Sequence, residues 1–251
     1  MSNTSAKTGR INPTSPRLQA RIAGFLYLLV IVGGIFAEIF VRGRLVVRGD
    51  PAATAHNILT HELLYRAGFA AEVFYCACNV PLTLIFYNLF RQVNRSATLL
   101  VVFFSLVGTA IESVSLLAHY APLVLLGNAH HFLAFTSEQL EAWAYVSLEL
   151  FECGFAIALV FFGFYCLSMG YLISKSTFLP RFIGILLAIE GVLYLANSFA
   201  NFLAPAIASH VFPFLAASAV AEISLCLWLL VVGVNVPKWQ NQAGAAGGSA
   251  A

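Results

Sequence analysis

Residues Ile22–Val41 read IAGFLYLLVIVGGIFAEIFV, twenty positions with a single charged group, Glu38. A helix rises about 1.5 Å per residue, so a run of this length matches a hydrocarbon core of about 30 Å. The preceding residues, Met1 to Arg21, are polar and carry four basic side chains. The apolar run is longer than the core of a signal peptide, and no small-x-small cleavage site follows it. It is read as a first membrane helix that stays in the protein.

Five more runs of the same kind follow, at Leu63–Phe90, Ala97–Leu126, Trp143–Ile173, Arg181–Leu203 and Val211–Val234. In lipid the backbone must satisfy its own hydrogen bonds, so each run is a helix. Several exceed the minimum length, which implies tilt or protruding ends. The fold class is therefore an all-α integral membrane protein with six transmembrane helices. It divides into a polar tail (1–21), a helical domain (22–234) and a tail (235–251) expected to be disordered, whose last residues, Ala243 to Ala251, are Gly, Ala and Ser. Of the 251 residues, 60% are hydrophobic and 10% charged. A soluble domain has about 45–50% and about 25%. The lipid bilayer is the partner this composition demands. A net charge of +2 without any Lys/Arg cluster excludes nucleic acid. The five cysteines, Cys76, Cys78, Cys153, Cys166 and Cys226, are odd in number and lie in apolar runs, so they read as free thiols.

Orientation follows from the basic residues. Lys7, Arg10, Arg17, Arg21, Arg91, Arg95, Lys175, Arg181 and Lys238 fall on one side, against Arg42, Arg44, Arg48 and Arg66 on the other. Nine against four places both termini in the cytoplasm, with the three arginines after the first helix as the exception. Asp50-Pro51 reads as a helix start, Asp capping and Pro at the first position. Trp239 beside Lys238 reads as an interface anchor.

Two stretches, AEIFVRGRLVVRGDPAATAHNI (Ala37–Ile58) and STFLPRFIGILLAIEGVLYLANSF (Ser176–Phe199), carry a resemblance. They are similar to the bacterial multi-pass membrane proteins of the domain of unknown function 4386 family, and the likeness in layout runs from about Arg21 to Val234. The resemblance implies about six helices and a cell membrane location, in bacteria the inner membrane. It implies no activity and no site residues.

Every predicted span contains a glutamate: Glu38, Glu72, Glu112, Glu149 with Glu152, Glu190 and Glu222. Each costs about 2.5–3.5 kcal/mol in mid-membrane, so the set needs an answer worth on the order of 20 kcal/mol. Helical spacing aligns them with other polar residues: Glu72, Cys76, Asn79 and Thr83; Glu112, Ser115 and His119; Tyr145, Glu149 and Glu152; Glu190, Tyr194, Asn197 and Asn201; Ser218, Glu222 and Cys226. These stripes are expected to face one another around one polar cavity. Arg66, His119, His61 and His210 are the basic partners in reach. They are fewer than the acids, so the remaining acids must carry a proton or bind a cation from outside. The candidate site is Glu72, Glu112, His119, Glu149, Glu152, Glu190, Asn197 and Glu222.

A repeat is also suggested. EVFYCA (Glu72–Ala77) aligns with ELFECG (Glu149–Gly154), AIESVSLLAH (Ala110–His119) with AIEGVLYLAN (Ala188–Asn197), and AEISLC (Ala221–Cys226) offers Glu-x-x-x-Cys again. Three helical hairpins of common origin would explain this, although Glu112 and Glu190 then differ in depth. Repeats with a site at their interface occur in transporters. Glu-x-x-x-Cys could hold a metal, but small packing residues explain the cysteines better, and a solvated loop explains His130-His131. No metal site and no cofactor motif is assigned, and the common catalytic signatures are absent. Three readings stay open: a carrier or binding protein for a proton-linked or cationic small solute, an intramembrane enzyme with a Glu/His site, and a non-catalytic membrane partner.

Overall fold

The structure, a computed structural model, describes residues 15–127, 134–204 and 219–248. Lys7, Arg10, His130, His131, His210, Ser218 and the first part of the sixth run lie outside the described residues. Those described are almost entirely helical, and no strand occurs among them.

The first span, α1, covers Pro16–Leu45 and contains a π-helical stretch at Phe36–Arg42. Ser15 caps it by accepting from the Leu18 N–H, and Pro16 occupies the first position. The short helix α2, Pro51–Thr60, begins where Asp50-Pro51 predicts, with the Asp50 side chain accepting from the Ala53 N–H at 2.9 Å. The next spans are α3 (Glu62–Phe90), α4 (Arg95–Gly127), α5 (Ser137–Lys175) and α6 (Arg181–Leu203). A reciprocal cap between Thr136 and Gln139 starts α5. After the segment outside the described residues comes α7 (Ala219–Val232), then α8 (Val236–Gly248), bent away by 102° at Gly233. Gly233 has φ +73°, a conformation that L side chains rarely adopt.

By length and composition α1, α3, α4, α5 and α6 can each cross a membrane, and α7 with α8 adds a sixth when the bent pair counts as one span. Large apolar side chains such as Phe25, Val114, Leu150, Ile185 and Val231 lie exposed along the outer faces. This is the surface a bilayer covers. Composition suggested a disordered tail from 235, but α8 is helical and folds back on the bundle. Trp239 Nε1 donates to the Leu89 carbonyl at 3.0 Å, and Gln242 accepts from the Thr177 N–H at 3.1 Å. The start of α1, the α3–α4 turn, the α5–α6 turn and α8 thus share one end, called here the terminal end. Helix α2 and the start of α5 lie at the far end.

Helix α5 packs along both α4 and α6, α3 joins α1 to α4, and α1 also meets α7. The α5–α6 contact is fitted backbone to backbone. A Cβ on Gly170 would lie 2.5 Å from the Gly184 carbonyl oxygen, and one on Gly191 would lie 2.6 Å from that of Gly163. Small residues let membrane helices approach this closely, where packing rather than water exclusion drives association.

Candidate functional site

The carboxylates gather in two buried layers, not around one cavity. The first layer lies toward the far end. Here the π-helical stretch of α1 carries Glu38 and Arg42. A π-turn holds an extra residue and shifts the direction of the side chains that follow. Arg42, counted in the sequence as a loop charge, is turned inward, and its side chain is only 10% exposed. Its guanidinium donates to Glu72 through Nη1 and to Glu38 through Nη2, with Nε also 3.0 Å from Glu38 Oε2. Glu72 on α3 is fully buried, and its second oxygen lies 2.5 Å from His119 Nδ1 on α4. Phe151 of α5 stacks on the His119 ring at 4.8 Å and lies under the Arg42 guanidinium at 4.7 Å. Tyr65 Oη donates to the His119 carbonyl at 2.6 Å.

The chain Glu38–Arg42–Glu72–His119 therefore runs from a side chain that is 55% exposed to one fully buried. Among the described residues His119 Nε2 finds no hydrogen-bond partner. The expected partners differ. Arg66 does not answer Glu72: it pairs with Glu62, one turn before it, at 2.7 Å and remains exposed. His119 serves Glu72 on the neighbouring helix, while Glu112 accepts from Tyr75 Oη at 2.5 Å. His61 lies 3.2 Å from its own helix's Asn57 carbonyl.

Below this layer the predicted α3 stripe continues as spaced. Asn79 donates to Thr109 at 2.6 Å, and Thr83 and Ser105 share a hydrogen bond at 2.7 Å. These bonds close the α3–α4 interface with side chains that satisfy one another.

The second layer lies toward the terminal end. Tyr27 and Arg42 are fifteen residues apart on α1, which sets the layers about 20 Å apart. Glu190 of α6 is 1% exposed and sits beside Glu222 of α7. Tyr194 donates to Glu222 at 3.4 Å, with Tyr27, Tyr165 and Cys166 around the pair. Asn197 is buried further along the same helix.

Glu152 is a correction to the expected interior set, for it is exposed, as is Glu149. The buried stripe of α5 is Ala144, Ser147, Leu148 and Phe151 instead. Apolar side chains fill the inward face there, so the two acids turn outward. With Val46, Arg48, Tyr145 and Leu148 they line a recess of about 220 Å³ at the far end. The three Glu-x-x-x-Cys copies also differ. Glu72 and Cys76 are buried, Glu149 and Cys153 exposed, and Glu222 half-buried with Cys226 buried. Among the described residues no group of three or more His, Cys, Asp or Glu is arranged to hold a metal.

The family model for Domain of unknown function (DUF4386) matches residues 22–233, nearly the whole helical part, and the chain belongs to that family. No curated protein and no solved structure matches it.

Proposed function

We propose that this member of the DUF4386 family is a small proton-linked carrier or binding protein for a cationic solute, with Arg42, Glu72 and His119 as its exchange site. The observation that carries the reading is the position of Glu72. It is fully buried and shared between a permanent cation and an imidazole whose other nitrogen has no hydrogen-bond partner among the described residues. Intramembrane acids and histidines in such chains mark proton relays and ion pathways. A proton arriving on Glu72 would weaken its hold on Arg42, which already bonds the more exposed Glu38. A cationic group on the solute could replace the guanidinium in the same way. The location that fits is a cell membrane, in bacteria the inner one, with both termini in the cytoplasm as the basic residues suggest.

The test is purified protein in liposomes holding a pH-sensitive dye, challenged with a panel of small amines and inorganic cations. Solute-dependent proton movement in the wild type that is lost in Glu72→Gln supports the proposal. No movement with any solute, or movement unchanged by Glu72→Gln, rejects it. The mutually satisfied Asn79–Thr109 and Thr83–Ser105 bonds favour a second reading for the α3–α4 interface, in which polar side chains only hold the bundle together. A silent liposome assay with an intact fold would extend that reading to the whole protein.

A further inference from the structure

The second layer has no part in the Arg42 chain, and its charge balance is different. Among the described residues neither carboxyl oxygen of Glu190 makes a well-formed hydrogen bond, and its polar neighbours are Glu222, Tyr194 and Cys166. Tyr27 from α1, Tyr165 and Cys166 from α5, Tyr194 from α6 and Cys226 from α7 face the pair. None of these is a cation. No Lys, Arg or His among the described residues interacts with either acid. Two neighbouring carboxylates, one buried and one half-buried in a low-dielectric helix bundle, do not both stay charged unless a positive charge joins them.

A second observation points the same way. Asn197 lies seven residues after Glu190, two helical turns on and about 20° round, so both occupy one face of α6. Seven residues are about 10 Å along the axis, so Asn197 lies on that face toward the far end. Its Oδ1 and the neighbouring Ser198 Oγ are both buried and have no hydrogen-bond partner among the described residues. Carboxyl, amide and hydroxyl oxygens with no nitrogen base among them are hard donors, suited to a hard cation.

We propose that Glu190 and Glu222 form an exchangeable site for one monovalent cation, a proton or an alkali ion competing with it, and that Asn197 and Ser198 line the approach to it. The site deepens the carrier reading by naming the coupling ion and rests on that reading for its purpose, although binding itself needs no transport.

Dicyclohexylcarbodiimide converts a protonated buried carboxyl into a stable N-acylurea that peptide mass spectrometry locates. Full-length protein is treated in sodium, potassium or choline chloride of equal ionic strength, across acid to alkaline pH. An adduct on Glu190 or Glu222 is expected, with the exposed Glu62, paired to Arg66, as the unlabelled control. Labelling that falls several-fold in sodium or potassium relative to choline identifies an alkali ion. Labelling indifferent to alkali ions but falling with rising pH identifies the proton. Glu222→Gln keeps size and a carbonyl; it should abolish the alkali protection or, for a proton alone, move the pH midpoint of Glu190 labelling by about a unit or more. No adduct on either residue at any pH, in protein that elutes as a single peak, overturns the proposal. So does labelling that neither cation nor pH alters. Cation-sensitive labelling beside a silent liposome assay removes the carrier and keeps the site; the converse removes the site alone.

Discussion

Arg42→Met is the sharpest probe of the first layer. The replacement keeps much of the apolar stem against Phe151, whose ring lies 4.7 Å from the guanidinium carbon. It deletes the only permanent cation bonded to Glu72, a side chain with no exposed area. Removing one partner of a buried ion pair costs about 3–5 kcal/mol, because the other is left uncompensated. At about 2–4 °C per kcal/mol for a chain of this size, melting should fall by roughly 6–20 °C. Glu72→Gln should cost less, about 1 kcal/mol, since Arg42 keeps Glu38 and the amide still accepts hydrogen bonds. The double variant Arg42→Met/Glu72→Gln should recover most of the Arg42→Met loss, because it removes the stranded charge. Arg66→Met is the control: its exposed pair with Glu62 is worth about 0–1 kcal/mol. The assay is a thermal melt in detergent, followed by intrinsic fluorescence and by size-exclusion recovery. The reasoning fails if Arg42→Met melts with Arg66→Met, or if the double variant is no more stable than Arg42→Met alone.

Gly170→Val should prevent close α5–α6 packing, because even a Cβ there meets the Gly184 carbonyl at 2.5 Å; the loss of at least about 1–3 kcal/mol should appear as aggregation on size exclusion. Gly34→Ala, with nothing within 4 Å of the added carbon, should leave elution unchanged and serve as the comparison. Tyr75→Phe removes the hydroxyl bonded to Glu112 at 2.5 Å and should lower stability by about 1–3 kcal/mol, whereas Tyr120→Phe, at a half-buried position bonded only to exposed Arg66, should be near neutral in the same melt.

The spans were legible because lipid imposes one rule on every membrane helix: a continuous apolar run long enough to cross. The Glu72–Cys76–Asn79–Thr83 stripe was legible because its spacing fits a single face and its neighbours are apolar. Asp50-Pro51 was legible because capping is local chemistry. Arg42 was missed for a physical reason. Positive charges at a helix end ordinarily seek water, and only a π-helical stretch, which leaves no mark in a 3.6-residue pattern, turns this one inward. The facing of α5 was missed because lipid and core are equally apolar. The contrast that orients a helix in water does not exist there, so Glu152 looked as inward as Glu72. The helix after Gly233 was hidden by its Gly and Ala content, although Trp239, read as an anchor, is the side chain that fastens it.

The glycine contacts also bear on how the molecule can move. Helices α5 and α6, fitted backbone to backbone at Gly163, Gly170, Gly184 and Gly191, have no layer of side chains to slide on. A Cβ on Gly24 of α1 would come within 2.7 Å of the Leu230 nitrogen on α7, so these two helices are locked together as well. The bundle thus contains two closely fitted bars, and a shear between them would move the groups they carry. Glu190 stands on one bar and Glu222 on the other. Arg42 rides on the second bar, while the ring beneath its guanidinium, Phe151, rides on the first. A sliding step between them would therefore change the spacing of the acid pair and the seating of the arginine together, across about 20 Å, the span of fifteen helical residues.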